Sequence, residues 1–236
     1  MAEQSQNNET RRAMLASIRE HLKASAPFDA VHDEHQALHQ AQPREITATV
    51  WANDQASLVE RFQESLEAVV GHCIRVRNES EAAEAVREII EQLNARRVAI
   101  SNAPLVRRVM AQVKTDTEWL ENASTKELFD CDAGVTSAQW AIAETGTLVL
   151  ESDEERHRLA SLVPPVHIAM IEAARIRQTL GEVLQRLDEK GRERLSRTVT
   201  FITGPSRTSD IELTLAIGVH GPRELHVIIL EGLRDE

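Results

Sequence analysis

Thr200–Leu230 reads TFITGPSRTSDIELTLAIGVHGPRELHVIIL, and its interpretation decides what kind of sheet this chain builds. The run Thr198–Thr203 is β-branched and aromatic, which predicts a buried strand. Ser209–Gly218 predicts a helix with Ile211, Leu215 and Ile217 toward the sheet, and Glu224–Leu230 predicts a second strand. Strand, helix and strand in that order form a βαβ unit with a right-handed crossover. GPSRTSD then lies at the carboxyl end of the first strand, where open α/β sheets place ligands.

The residue types suit that position. Gly204 permits a tight turn and Pro205 stiffens it. Ser206, Thr208 and Ser209 bring hydroxyls to a helix start whose dipole favours an anion, complemented by Asp210. Arg207 can grip a carboxylate or phosphate through two parallel hydrogen bonds. The same residues also describe a capped helix start with a surface arginine, and both readings stand at this point. In the second turn Gly218 ends the helix. His220, Gly221 and Pro222 lead into the next strand at the opposite edge, so His220 is expected to support the fold.

Outward from this stretch the chain alternates strands with single helices from Ile46 onward, which predicts an α/β fold with a mainly parallel sheet and flanking helices. ITATVW, HCIRVR and RRVAIS read as strands. Between them, Leu58, Phe62, Leu66, Val69 and Val70 mark one helix, stopped by Gly71. Val86, Ile89, Ile90 and Leu93 mark a second, with Ser80 as its N-cap. Pro104 opens a third. Residues 114–135 show no clean period. AIAETGTLVLES predicts strand, tight turn, strand, and HIAMIEAARI a further strand. A Thr179/Glu182 capping box starts a helix with a Leu180, Val183, Leu184, Leu187 stripe and Gly191 as terminator. Residues 1–45 form an N-terminal helical arm and linker, with Met14, Leu15, Ile18 and Leu22 at helical spacing, and residues 46–236 form the α/β domain.

A formal charge of −11 over 236 residues argues against general nucleic-acid binding, which is driven by phosphate neutralisation. Arg156–Arg207 nevertheless holds ten Lys/Arg against five Asp/Glu, a bias compatible with an anion site or a solvated helix face. No apolar run approaches membrane-spanning length, and the polar start lacks the apolar core of a secretory signal. Cys73 and Cys131 stand alone, without the spacing of a disulfide framework, a zinc site or an iron–sulfur site. Free thiols and no signal point to the cytoplasm. His32, His35 and His39 have no fixed carboxylate partner, so no metal site is expected.

Two further segments concentrate polar chemistry. In AETGT, Glu144, Thr145 and Thr147 surround Gly146. The carboxylate can act as nucleophile or base, or cap backbone N–H groups. This turn is expected to share one cleft with GPSRTSD at the carboxyl edge of the sheet. RHRLASLVPPVHI sets Arg158, Ser161 and His167 around Pro164–Pro165. Those prolines enforce an extended entry to the next strand, one of them with a chance of being cis, and His167 reads as a hydrogen-bonded core histidine.

Taken together, A-E-T-G-T at 143–147, R-L-x-S-L-x-P-P-x-H-I at 158–168, G-P-S-R-T-S-D-I-E at 204–212 and G-V-H-G-P-R-E-L-H at 218–226 resemble the lactate-utilisation protein C family (LutC, also called YkgG), built on the LUD domain. The resemblance runs from about Leu58 to Leu230. It implies a fold similar to the NagB/RpiA/CoA-transferase group and a role in oxidising L-lactate to pyruvate. It also implies partner proteins that carry the iron–sulfur clusters, with no cofactor in this chain. Two functions are then open as alternatives. The first is a non-cluster or accessory subunit of a cytoplasmic lactate-oxidation system. Its small-anion site is formed by Gly204, Ser206, Arg207, Thr208 and Ser209, beside Thr145, Gly146 and Thr147. The second is a free-standing transferase or isomerase using Glu144, an analogy from fold alone.

Overall fold

The computed structural model describes residues 15–16, 54–153, 158–191, 194–209, 215–217 and 221–232. The chain divides into Met1–Val50 and Trp51–Glu236, and every strand among the described residues lies in the second unit. The histidines at 32, 35 and 39 and the ITATVW segment lie outside the described residues.

The alternation expected from the sequence appears as β1 (His72–Val76), β2 (Arg97–Ile100), β3 (Glu118–Glu121), β4 (Ala133–Ser137), β7 (Val166–Glu172) and β12 (Glu224–Leu230). They form one six-stranded sheet in the order β1-β12-β7-β4-β2-β3, parallel at every pairing. A parallel sheet is covered on both faces, which is why its strands read as unbroken apolar runs. In β7, Val166, Ile168 and Met170 face one core, while Ala169 and Ile171 face the other. β12 divides in the same way, with Ile228 and Leu230 opposite Leu225, Val227 and Ile229.

α1 (Gln55–Ala68) precedes β1, and two helices join the strands that follow: α2 (Glu79–Gln92) and α3 (Pro104–Met110, with Pro104 in its first turn). The first core packs α2 and α3 against the sheet. The second packs Leu58, Phe62 and Leu66 of α1 between the parallel sheet and a second, four-stranded one. That second sheet has the order β8-β5-β6-β9, from β5 (Trp140–Ile142), β6 (Thr147–Glu151), β8 (Ile176–Arg177) and β9 (Val199–Thr203). Its outer face is covered by Val183 and Leu187 of α5 (Leu180–Glu189), which comes after the short α4 (Thr125–Phe129).

Several local expectations are corrected. Asn78 caps α2 in place of Ser80, because its side chain reaches the Glu81 N–H at 2.9 Å. α1 ends before Gly71: Val70 takes the left-handed conformation (φ 67) and is exposed, while the Gly71 N–H returns to the Leu66 carbonyl. Leu180 and Leu184 are exposed, so the buried stripe of α5 is narrower than its apolar pattern. The Thr179 hydroxyl accepts from the Glu182 N–H, but the Glu182 carboxylate answers to the Gln178 N–H. Residues 114–135 hold β3, α4 and the central strand β4, whose AGVTS sequence is too small and polar to announce a strand. No cis peptide bond occurs at Pro164 or Pro165.

The largest correction falls on the opening stretch. Arg207–Ser209 is strand β10, paired antiparallel with β11 (Leu215–Ile217), so the helix expected to begin at Ser209 is replaced by a β-ribbon at these residues. Ile211, Asp210 and His220 lie outside the described residues. β9 belongs to the four-stranded sheet, antiparallel to β6, and shares no sheet with β12. The expected βαβ unit is therefore absent from the described residues. Phe201 is accordingly exposed, on an edge strand.

Candidate functional site

Two glycines set the turns of the four-stranded sheet. Gly146 (φ 63) and Gly204 (φ 75) both need the left-handed region, and both press on α1 or the residues that end it. A Cβ on Gly146 would stand 2.4 Å from the Leu66 nitrogen, and one on Gly204 would stand 2.7 Å from the Val69 oxygen. Only glycine fits either place. Thr147 and Thr203 are register partners in β6 and β9, which brings the two turns side by side. Their hydroxyls are 2.7 Å apart, and the Thr145 hydroxyl is 2.7 Å from that of Thr147. AETGT and the start of GPSRT therefore lie at the same end of the four-stranded sheet, but the expected shared cleft does not form, since no residue of AETGT lines the cavity described below.

The second turn arrives from an unexpected direction. The Ser206 N–H donates to the Pro222 carbonyl at 2.8 Å, and the Arg223 N–H donates to the Pro165 carbonyl at 2.8 Å. Gly204–Ser206, Gly221–Pro222 and Pro164–Pro165 thus gather at the amino ends of β7 and β12. The expectation that HGP lies at the opposite edge is overturned. So is the carboxyl-edge placement, because β9 runs in a different sheet and delivers its turn to the amino edge of the parallel one.

Between these turns lies a cavity of about 350 Å³, lined by Ser161, His167, Thr203, Gly204, Ser206, Gly221, Pro222 and Leu225 among others. His167 is the second residue of β7 and is buried. Its Nε2 lies 2.8 Å from the Thr136 hydroxyl of β4, while its Nδ1 has no partner. Burial pushes its pKa down to about 3, so the ring is neutral. His167 is one of the residues lining this cavity, and an unpaired buried ring nitrogen is a costly feature of the fold. Sequence reading placed His167 correctly as a hydrogen-bonded core histidine and missed its second nitrogen. The signal was its position two residues after a proline pair, at a strand start.

Glu144 sits elsewhere. It is exposed, and its Oε1 accepts from the Leu180 N–H at 3.0 Å, capping α5. It does not line the cavity, and the capping reading of this carboxylate is the one seen. Of the expected ligand residues, Gly204 and Ser206 line the cavity. Thr147 connects to it through the Thr203 hydroxyl and Thr145 through that of Thr147, while Gly146 packs on Leu66. Arg207, Thr208 and Ser209 are placed by their backbone as β10.

The LUD domain family model matches residues 59–230, a span that contains every residue lining the cavity. The chain is 40% identical over 154 residues to "Lactate utilization protein C" of Deinococcus radiodurans, covering 63% of this chain and 70% of that one. It is 33% identical over 159 residues to an uncharacterised protein of Neisseria meningitidis serogroup B, covering 66% of each chain. The crystal structure of a DUF162 family protein from Deinococcus radiodurans superposes with a TM-score of 0.60 at 25% identity, covering 76% of this chain and 99% of that one.

Proposed function

The chain belongs to the LUD domain family, and from that premise we propose that it serves lactate utilisation as a cytoplasmic component that binds a small carboxylate. In this reading the redox chemistry resides on partner iron–sulfur proteins. The chain presents the organic acid in the cavity between its Gly204–Ser206 and Gly221–Pro222 turns. The observation that carries the site is the unpaired Nδ1 of buried His167. As a neutral N–H it donates to a carboxylate oxygen, and the hydroxyls of Thr203 and Ser206 offer further donors. Arg207 directly succeeds Ser206 and supplies the positive charge in this proposal.

The test pairs genetics with binding. Deleting the gene with its partners intact is expected to abolish growth on L-lactate, and the unaltered chain is expected to restore it. Purified protein is expected to bind L-lactate or pyruvate in calorimetric titration. His167→Gln and Arg207→Lys are each expected to weaken that binding by about tenfold, the worth of one charge-assisted or buried hydrogen bond. Normal growth of the deletion strain on L-lactate sinks the pathway role. Unchanged affinity in both variants sinks the site.

A further inference from the structure

The fold treats the two ring nitrogens of His167 differently. Nε2 lies 2.8 Å from the Thr136 hydroxyl, whereas Nδ1 has no partner among the described residues. Which nitrogen carries the proton decides whether Nδ1 offers a donor or an acceptor. β4 and β7 place the two residues. Gly134 is the register partner of His167, and Thr136 is that of Ala169. Residues two apart on a strand share a face, so Thr136 stands on the face that His167 occupies. Gly134, directly opposite the ring, offers it no side chain. Thr136 is fully buried and β-branched, so its Oγ1 is held by a stiff χ1 while the hydroxyl proton rotates freely.

Satisfying that hydroxyl settles the tautomer. The Thr136 hydroxyl has one hydrogen-bond partner among the described residues, the imidazole Nε2. If Nε2 carried the proton, Thr136 would accept it. Its own buried O–H would then lack an acceptor, and the Nδ1 lone pair would be a second unsatisfied group. With the proton on Nδ1, the Thr136 O–H donates to Nε2, and only the Nδ1–H is left over. The second arrangement strands one buried group fewer, and each such group is costly. Burial keeps the ring neutral, so a doubly protonated form does not compete.

We propose that Thr136 is a positioning residue: it holds His167 in the Nδ1–H tautomer, so the ring gives a hydrogen bond and its ligand must bring an acceptor oxygen. This rests on the carboxylate reading above and sharpens it. An ionised carboxylate or a keto oxygen satisfies Nδ1–H, while an ammonium group brings a second donor against it. The hydroxyls of Thr203 and Ser206 can turn to give or to take a hydrogen bond, whereas a ring held by Thr136 can only give.

The experiment reads both ring nitrogens of His167 by long-range proton–nitrogen NMR of the full chain at pH 7, assigned by their loss in His167→Gln. Protonated and unprotonated imidazole nitrogens resonate far apart, so the tautomer is read directly. The parent is expected to show a protonated Nδ1 and an unprotonated Nε2. Thr136→Ser keeps the hydroxyl and is expected to keep that pattern. Thr136→Val removes it at nearly constant volume. Both resonances are then expected to move toward the Nε2–H form, with pyruvate affinity about tenfold lower. A threonine that only supports the fold would change stability without moving the nitrogens. A protonated Nε2 in the parent overturns the proposal, as does an unmoved pattern in folded Thr136→Val. If that variant does not fold, the parent spectrum decides alone. The lactate reading fails separately: an Nδ1–H ring in a chain that takes neither pyruvate nor L-lactate upholds the tautomer and sinks that ligand.

Discussion

The two edges of the parallel sheet are built from opposite materials. The amino edge is lined by hydroxyls, glycines, prolines and a neutral histidine, with no charged side chain among the described lining residues. The carboxyl edge is lined by Arg108, Arg175 and Lys190 against Glu151 and Glu172. The first edge depends on close backbone approach and on the oriented neutral groups of its described lining residues. The second depends on Coulombic attraction, which salt weakens. One sheet therefore presents neutral hydrogen-bonding groups at one end and ion pairs at the other.

The sharpest way to break the amino edge is Gly134→Ala. Gly134 pairs with His167 across β4 and β7, and a Cβ there would stand 1.8 Å from the Ala160 carbonyl oxygen. Backbone must move on both sides, so a loss of about 3 kcal/mol or more in denaturant unfolding is expected. A near-neutral result would show that the segment around Ser161 is not pinned to the sheet. At the carboxyl edge, Glu151→Gln leaves Lys190 without its carboxylate. Removing one partner of a buried pair costs about 3–5 kcal/mol, discounted here to about 2 because Lys190 keeps 30% of its side chain exposed. Equal melting temperatures for the variant and the parent would mean that the pair adds nothing to the fold.

The next effect appears only on acidification. Folded His167 titrates at about 3, against an ordinary 6.5, because burial disfavours the imidazolium. The unfolded chain takes up that proton first, so this stability is complete above pH 6.5. It falls by on the order of 1.4 kcal/mol per pH unit from there down to about pH 3. At pH 5 the loss is about 2 kcal/mol. His226 is also lowered by burial and by the charge of His72. The contribution of His167 is therefore read as the difference in pH dependence between the parent and His167→Gln. Parallel stability curves from pH 7 to pH 4 would contradict it.

The smallest effect has the opposite sign. Val70 occupies the left-handed position that ends α1, whereas Asn94 (φ 51) occupies the corresponding position after α2. A β-branched residue is strained there, and asparagine is not. Val70→Gly is expected to stabilise by about 0.5–1 kcal/mol, visible as a small rise in melting temperature. Because Gly204 rests on Val69, a simultaneous change in carboxylate binding would show that the strain shapes the amino-edge cavity.

Legibility from sequence tracked the strength of local signals. β7 and β12 are continuous apolar runs, and α1, α2 and α5 carry helical apolar spacing, so each was visible in isolation. β4 was not, since alanine, glycine, threonine and serine carry little apolar signal, and burial on both faces is what makes AGVTS a strand. The error at Ser209 is instructive because the sequence held the correction. Ile211, Leu213, Leu215 and Ile217 alternate with period two, the spacing of a strand, and the helical reading used only part of that set. The sequence leaves Glu144 open to capping or to chemistry, and its bond to the Leu180 N–H shows capping.

By itself the sequence determined the α/β class, the parallel sheet and the motifs that mark the family, because periodicity, glycine placement and motif order are local properties of the chain. The sheet that β9 joins, the meeting of the Gly204 and Gly221 turns, and the approach of Arg108 and Arg175 to Glu172 were decided only by the tertiary structure. Each of these depends on segments far apart in sequence, brought together by burying apolar faces on both sides of the parallel sheet. No residue in any one segment records its partner.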